Sequence, residues 1–324
     1  MNKNVKQQIL PRKSFSLRSK NVRVSIPNQN QRYKAYKGFT GSEVRMDFTG
    51  GKIAIAIAFV LLTSITADAQ WRSKTHDVYN ALTGIDVKID GELNEWDGLL
   101  DAVTGTDGKP FCGVEYSGNV FQEHNGGKWE GADDHETCFM ITWDAKAVYI
   151  ALIVTDDEHE HAAAAAWNGD GAQLAFEMSG KRTAGIQMWL YNVGLDDKAE
   201  NILPVALNEK PGGAGIAPDD DIVVIRNEAE KKTYYELRFT AEELQVKGKK
   251  FSEGFEFGLG ICVNDGDKGA GQDGQKGWSG WYTHSIVFGK NSEHTGLVVL
   301  TSEELAVEAS NKLATTWGKL KSIR

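Results

Sequence analysis

Three tryptophans in polar, glycine-flanked loops are the residues of this sequence best suited to contact a ligand. They are Trp167, Trp278 and Trp281, whereas Trp143 and Trp189 fall within apolar strand patterns. An indole presents a flat apolar face, against which the C–H face of a sugar ring can pack. The alternative is that one or more of the three indoles caps the core at the end of a strand.

Polar side chains close to these tryptophans could bind the hydroxyl groups of a sugar. Asp170 and Gln173 follow Trp167, while Asn264 and Gln275 precede the other two tryptophans. A few amide and carboxylate groups around an aromatic surface are typical of sites for polar ring-shaped ligands. We therefore predict a saccharide site that consists of Trp167, Asp170, Gln173, Asn264, Trp278 and Trp281.

An acidic segment, D-D-E-H-E-H at residues 156–161, lies between a predicted strand and Trp167. Asp156 and Asp157 supply hard oxygen ligands of the kind that calcium prefers. The histidines at positions 159 and 161 would suit a transition metal instead, and a solvated acidic loop is the third interpretation. We predict a structural calcium ion held by Asp156 and Asp157.

Sequence motifs of catalysis are absent. The chain contains no G-x-S-x-G, no P-loop and no H-E-x-x-H. A glycosidase needs two carboxylates that face each other across a cleft, but acidic residues are so frequent here that no pair stands out. The prediction is a binding module without enzymatic activity.

Short apolar strands separated by turns must position these residues. Residues 138–143 and 147–155 predict a hairpin whose second strand is apolar on both faces and hence central in its sheet. About ten such strands predict an all-β fold, an antiparallel β-sandwich of the jelly-roll or immunoglobulin-like kind with elaborated loops. Further strands are predicted at residues 85–89, 172–178, 186–191, 222–225, 234–239, 255–263 and 297–300.

A short C-terminal helix is predicted for the tail at residues 301–324. Thr301 and Glu304 have the spacing of a capping box, in which a hydroxyl and a carboxylate bind the first N–H groups of a helix. The end of the tail is basic around Trp317. Whether the helix docks on the domain or serves in sorting or partner binding stays open.

The N-terminal residues predict export. Residues 53–62 are apolar but shorter than the roughly 20 residues that a membrane-spanning helix needs, and Ala67-Asp68-Ala69 is a small-x-small cleavage pattern. We interpret residues 46–69 as a signal peptide and residues 1–45 as a basic leader that precedes the true start at Met46. The mature chain would be secreted or periplasmic, without a membrane span, and residues 70–300 would form the sandwich.

Charge and cysteine content restrict partner and compartment. Residues 1–69 carry twelve basic and three acidic side chains, so their removal changes the formal charge from −9 to −18. A surface this acidic repels nucleic acid and favours neutral ligands or cations. Cys112, Cys138 and Cys262 allow one disulfide with a spare thiol, or three buried thiols, and the sequence does not choose between them.

Five short motifs in order resemble carbohydrate-binding module family 9. The resemblance spans residues 85–300 and implies a sugar-binding β-sandwich with structural calcium, usually attached to exported enzymes that degrade polysaccharides. In that family two tryptophans enclose a terminal sugar: Trp167 matches the first, and Trp278 or Trp281 would be the second. The motifs are I-D-G-E-L-N-E-W at 89–96, V-Y-I-A with V-T-D-D at 148–157, W-N-G-D at 167–170, Y-E-L at 235–237 and V-N-D at 263–265.

Two positions depart from the family pattern. Gln173 stands where the family has a glutamate, and Trp189 stands where it has an arginine. Both changes alter the groups that are offered to sugar hydroxyls. The leading hypothesis is an exported saccharide-binding module linked to polysaccharide breakdown or uptake. The alternatives are a haem-binding electron-transfer sandwich, with axial ligands from Met140, Met178, Met188 or the histidines, and a glycoside hydrolase.

Overall fold

Strands dominate the computed structural model, which describes residues 72–114, 121–162, 167–203, 206–209, 218–266, 275–287 and 289–305. The predicted leader and signal peptide lie outside these residues. None of the described helices is long and apolar enough to span a membrane.

Short helical turns occur at Leu93–Trp96, Leu99–Ala102, Pro218–Asp221, Thr283–Ser285 and Ser292–His294. The strands are β1 Val78–Thr83, β2 Phe121–Glu123, β3 His135–Trp143, β4 Ala147–Asp156, β5 Gly171–Glu177, β6 Trp189–Val193, β7 Ala206–Glu209, β8 Ile222–Asn227, β9 Lys232–Thr240, β10 Glu256–Asp265, β11 Gly277–Trp281 and β12 Gly296–Glu304.

The strands of the described residues form one mixed sheet in the order β7-β6-β5-β10-β12-β1-β3-β4-β9-β8, and β11 joins β10 to β2. The prediction of an all-β fold is confirmed. The prediction of a purely antiparallel sheet is wrong, because β1 runs parallel to both neighbours, β12 and β3. Parallel strands need a long crossover connection, and the extended segment between β1 and β3 supplies one.

The predicted hairpin is confirmed, since β3 and β4 pair in antiparallel register from His135–Asp156 to Trp143–Val148. The sheet also bends back on itself around a core. The rings of Phe176 on β5 and Phe239 on β9 lie 4.7 Å apart, although six positions separate these strands in the sheet order. Burial of such side chains stabilises the fold by roughly 25 cal/mol per Å² of apolar surface.

The first strand is not where alternation predicted it. Residues 85–89 alternate between half-buried and exposed, and Ile85 and Val87 pack against the core, but they form no ladder. The N–H of Lys88 instead donates to the Glu95 carboxylate at 2.7 Å. The expectation of a strand at 85–89 is wrong, because one side of this segment packs on the core while its backbone has no neighbouring strand to pair with. The first strand is β1, at residues 78–83.

Glu236 on β9 anchors the segment that precedes the first helical turn. Its carboxylate accepts hydrogen bonds from the N–H groups of Asp90 and Gly91 at 3.0 and 2.8 Å and from Trp96 Nε1 at 2.8 Å. Gly91 has a φ of 84°, and a Cβ there would lie 2.3 Å from Cδ1 of Ile225. The I-D-G-E-L-N-E-W and Y-E-L motifs are therefore halves of one structural contact.

Residues 301–304 continue β12 as a strand, so the predicted helix start at Thr301 is wrong. The Thr301 hydroxyl donates to the carbonyl of Ala81, and the Thr301 carbonyl accepts from Trp143 Nε1, both at 3.0 Å. Sheet contacts thus override the local capping pattern. The remainder of the tail, residues 306–324, lies outside the described residues.

Cys112 and Cys138 form a disulfide, and Cys262 is a buried thiol. The bond closes a loop with a sequence separation of 26, for which the chain-entropy model gives a stabilisation of about 3.5 kcal/mol. We therefore expect reduction to lower the melting temperature by roughly 7–14 °C in a chain of this size.

The measurement is a calorimetric scan with and without dithiothreitol. A double variant, Cys112→Ala with Cys138→Ala, should melt at the lower temperature under both conditions, whereas Cys262→Ala should keep the sensitivity of the wild type. Equal melting of oxidised and reduced wild type would contradict the expectation.

Candidate functional site

The strands β5, β6, β10 and β11 carry apolar side chains on both faces. Leu174 and Phe176 belong to the main core, whereas Ala175 between them belongs to a second cluster. Side chains alternate along a strand, so the second cluster covers the opposite face of the sheet. Its members are Ala175, Met188, Leu190, Cys262, Trp278 and Ile286.

A cavity of about 230 Å³ lies next to this second cluster. Its volume exceeds several-fold the roughly 30 Å³ that one water occupies in the liquid. Three of the predicted saccharide-binding residues meet here: Trp167, Gln173 and Trp278. The complete lining is His124, Trp167, Gln173, Gln275, Trp278, Ile286, Val287 and Lys290.

Trp167 is the exposed aromatic of this cavity. It leaves 37% of its surface accessible to solvent, which is unusual for a large apolar side chain. The residue lies in the segment between β4 and β5, as the sequence predicted. An indole with this exposure beside a concave surface can stack on a ring without first displacing protein.

Trp278 forms a wall of the cavity. The prediction that Trp278 lies in a glycine-flanked loop is wrong, because Trp278 lies on β11 and is 3% exposed. Its Nε1 donates to Oε1 of Gln122 at 3.1 Å, and its ring centroid lies 5.1 Å from that of His124. Trp278 thus presents a fixed apolar surface.

Trp281 is a core residue, and its predicted role in sugar binding is wrong. Its side chain is fully buried, its Nε1 donates to the carbonyl of His76 at 2.7 Å, and its ring contacts Phe111 and Phe139. Trp278 and Trp281 are three positions apart on one strand, an odd spacing that points them to opposite faces. Only Trp278 can therefore face the cavity.

Two amides on neighbouring strands, Gln173 and Asn264, are joined by a hydrogen bond. Gln173 on β5 is 6% exposed and lines the cavity, and Asn264 on β10 is 1% exposed. Nε2 of Gln173 donates to Oδ1 of Asn264 at 3.1 Å, which fixes the orientation of the Gln173 amide. Nδ2 of Asn264 is buried and donates to no acceptor of the described residues. Asn264, a predicted saccharide-binding residue, does not line the cavity and instead orients Gln173, which does.

Asp170 does not line the cavity, although the sequence placed it in the saccharide site. It is 3% exposed, and its two oxygens accept the N–H groups of Glu160 at 2.6 Å and Gly266 at 2.7 Å. A Cβ at Gly266 would lie 2.4 Å from the Glu160 carbonyl oxygen, so the two backbones approach closely. Asp170 therefore connects the Trp167 segment to the end of β10 and does not face the cavity.

Asp170 belongs instead to a group with Asp156 and His159, whose ligand atoms all lie within 4.8 Å of one another. Burial raises the pKa of Asp156 to about 6. Burial, and then the charge of Asp156, raise the pKa of Asp170. Asp157, the second predicted metal ligand, is exposed and not part of this group, because the residue that follows a buried strand end points away.

The donor set of this group can be compared with the calcium that the sequence predicted. Calcium takes six to eight oxygen ligands, whereas Asp156, His159 and Asp170 combine two carboxylates with an imidazole nitrogen. Nitrogen donors favour transition metals over calcium. The described side chains thus fit calcium poorly, and the calcium prediction stays a prediction.

Sequence reasoning missed four residues of the cavity, His124, Ile286, Val287 and Lys290. His124 follows β2, which has only three residues, and so short a strand gives no periodic signal. Ile286 and Val287 form a short apolar pair directly after the helical turn Thr283–Ser285, too short to show a period. Lys290 lies in a loop whose position depends on tertiary packing, and the sequence holds no signal for it.

The solved structures to which this chain is similar include two from Caldicellulosiruptor kristjanssonii. A carbohydrate binding module family 9 in complex with cellotriose has a TM-score of 0.49 and 15% sequence identity, over 72% of this chain and 96% of that chain. A carbohydrate binding module family 9 in complex with glucose has a TM-score of 0.47 and 15% identity, over 71% of this chain and 99% of that chain. No curated protein sequence matches the chain.

A family model described as carbohydrate family 9 binding domain-like matches residues 116–303, which is more than half of the 324 residues. The match begins after the 89–96 motif and includes β2 through most of β12. It confirms the resemblance that the short motifs indicated. The chain belongs to the carbohydrate family 9 binding domain-like family.

Proposed function

We propose that this protein is an exported, non-catalytic module that binds a saccharide in the cavity beside Trp167. The observation that carries the proposal is the meeting of an exposed indole and an oriented amide, Trp167 and Gln173, in one cavity. The family to which the chain belongs is named for carbohydrate binding. Both lines support a sugar as the ligand.

The cavity offers the two kinds of contact that a sugar ring needs. The C–H face of the ring would stack on Trp167, and the walls formed by Trp278 and Ile286 would exclude water from the other side. Hydroxyl groups would bond to the amides of Gln173 and Gln275. Apolar walls with a few placed polar groups are the usual composition of small-molecule sites.

Export and a link to polysaccharide breakdown or uptake are part of the proposal. The Cys112–Cys138 disulfide supports export, because such bonds persist in oxidising compartments and are rare in the cytosol. A two-layer sandwich is also part of the proposal. The ring contact between Phe176 and Phe239 across the core supports two facing layers.

A glycan array probed with the full chain as it exists after export tests the proposal. We expect saturable binding to at least one glycan, confirmed by calorimetric titration, and no release of phenol from aryl-glycosides. A folded protein that binds no glycan on the array would contradict the proposal. A Soret band in the purified protein would instead favour the haem-binding alternative, and turnover of aryl-glycosides would favour a hydrolase.

Gln173→Ala should weaken saccharide binding by roughly 2- to 12-fold, because a hydrogen bond contributes about 0.5–1.5 kcal/mol net. Calorimetric titration against the sugar selected on the array measures the change. Gln187→Ala removes an exposed glutamine that does not line the cavity and serves as the control. Equal affinities of the two variants would remove Gln173 from the site.

A further inference from the structure

Asp156, His159 and Asp170 form a buried group, called here the Asp–His–Asp cluster, between the end of β4 and the start of β5. The cluster is separate from the cavity, since none of its three residues lines it. The side chains are 3%, 4% and 5% exposed, so water has little access to any of them. Buried charges of this kind need partners within the protein or a bound cation.

The imidazole of His159 is oriented for a cation. Its Nε2 lies 3.0 Å from the carbonyl oxygen of Asp196. A carbonyl only accepts hydrogen bonds, so Nε2 carries a proton, and in the neutral form of the ring the lone pair is on Nδ1. Nδ1 is buried and has no hydrogen-bond partner among the described residues, yet it lies 3.5 Å from Oδ2 of Asp170. In the neutral form, the Nδ1 lone pair of His159 faces an electron-rich oxygen of Asp170 in a site with little water. A cation between the two atoms would stabilise this arrangement.

The two carboxylates are held in place by backbone groups. Asp156 accepts the N–H of Glu158 at 3.0 Å, and Asp170 accepts the N–H groups of Glu160 and Gly266. Arg226 lies 3.9 Å from Oδ2 of Asp156 and shares its guanidinium with Glu228 at 3.1 Å. These contacts orient the oxygens and only partly balance two negative charges.

From this geometry we infer that the Asp–His–Asp cluster binds a divalent cation of the borderline class represented by zinc, and not calcium. Nδ1 of His159 and one oxygen each of Asp156 and Asp170 are the ligands. Two ligand atoms at zinc–ligand distances of about 2.1 Å in a tetrahedron are roughly 3.4 Å apart, close to the 3.5 Å between Nδ1 of His159 and Oδ2 of Asp170. Metal-bound histidines commonly donate their second N–H to a carbonyl, as His159 does to Asp196.

The position of the cluster gives the cation a structural role. Asp156 ends β4, whereas Asp170 follows Trp167 by three residues and bonds to Gly266 beyond β10. A cation held by both aspartates would connect the end of β4 to the turn after Trp167. Through the bond from Gly266 to Asp170, it would also connect both to the end of β10. Metal binding is expected to stabilise the folded chain, because a ligand bound only by the native state raises its melting temperature.

The test uses the full chain after treatment with a chelator, followed by calorimetric titration with zinc chloride and, separately, calcium chloride. We expect one zinc ion per chain and a rise in melting temperature of roughly 5–10 °C at a hundredfold excess over the dissociation constant. Calcium should bind at least 100-fold more weakly. Cobalt(II), used as a spectroscopic probe, should give the visible absorption of a site with a nitrogen ligand.

Variants locate the ion. His159→Asn and Asp170→Asn should weaken zinc binding by roughly 100-fold or more, whereas Asp157→Asn, an exposed neighbour outside the cluster, should bind as the wild type does. Tighter binding of calcium than of zinc would overturn the inference, as would a folded wild type that takes up no zinc because the two carboxyls share a proton. If the variants do not fold, the zinc and calcium titrations and the cobalt spectrum of the wild type still decide.

Discussion

Replacement of Trp167 by alanine should weaken saccharide binding by roughly 30- to 700-fold, the effect of losing an aromatic residue that contributes about 2–4 kcal/mol at the centre of a site. The free energy of unfolding should change by less than about 1 kcal/mol. The reason for the difference is exposure: 37% of the Trp167 surface is accessible, so little protein packing is lost. Calorimetric titration measures the affinity, and urea denaturation measures the stability.

Trp129 provides a matched control for this experiment. It has the same 37% exposure as Trp167, stacks on Phe121 and does not line the cavity. Trp129→Ala should therefore bind saccharide as the wild type does. If Trp129→Ala and Trp167→Ala lose the same affinity, or if neither loses any, the cavity is not the saccharide site.

Replacement of Trp281 by alanine should have the opposite outcome, a loss of about 3–5 kcal/mol of stability, because a fully buried indole leaves a cavity behind. Trp281 packs against Phe111, Phe139 and Tyr282, and its N–H satisfies the buried carbonyl of His76. Urea denaturation gives the free energy of unfolding directly. Trp281→Phe, which retains most of the apolar volume, should lose clearly less.

Saccharide affinity of the folded fraction of Trp281→Ala should remain close to that of the wild type, since the side chain lies on the opposite face of β11 from the cavity. A loss of binding without a loss of stability would contradict the assignment of Trp281 to the core. The two tryptophan variants therefore separate recognition from packing within one protein.

The strand pattern of the sequence predicted most of the sheet because burial imposes a period on the residues. The β3–β4 hairpin follows from two adjacent apolar runs, although β3 begins at His135, three residues before the predicted start. The position of β1 could not be predicted in this way. Residues 78–83 pair with strands that are distant in sequence, whereas residues 85–89 alternate more clearly but have no ladder partner.

Some residues of the candidate site can be found from local sequence, and others cannot. Trp167 and Gln173 are close in sequence to each other and to a strand start, and both line the cavity. Strand alternation alone separates Trp278 from Trp281, so the error at Trp281 arose from the assumption that both lie in a loop. His124 and Lys290 join the site through the packing of distant segments, which leaves no trace in local sequence.

The acidic segment illustrates the same distinction. Asp157 adjoins Asp156 in sequence, but it is exposed, whereas Asp170, fourteen positions from Asp156, shares its buried group. Chain neighbours at a strand end alternate between the two faces. His159 lies between them in sequence and adds an imidazole nitrogen to their carboxylate oxygens. The sequence allowed a transition metal as an alternative to calcium, and this mixed set of donor atoms favours it.

The crystal structure of the protein in complex with the saccharide selected on the glycan array tests the central proposal most directly. We expect a sugar ring with its C–H face on the Trp167 indole, a hydroxyl group within hydrogen-bond distance of the Gln173 amide, and Trp278 at the wall of the same cavity. A saccharide bound elsewhere on the protein, with this cavity empty, would contradict the proposal.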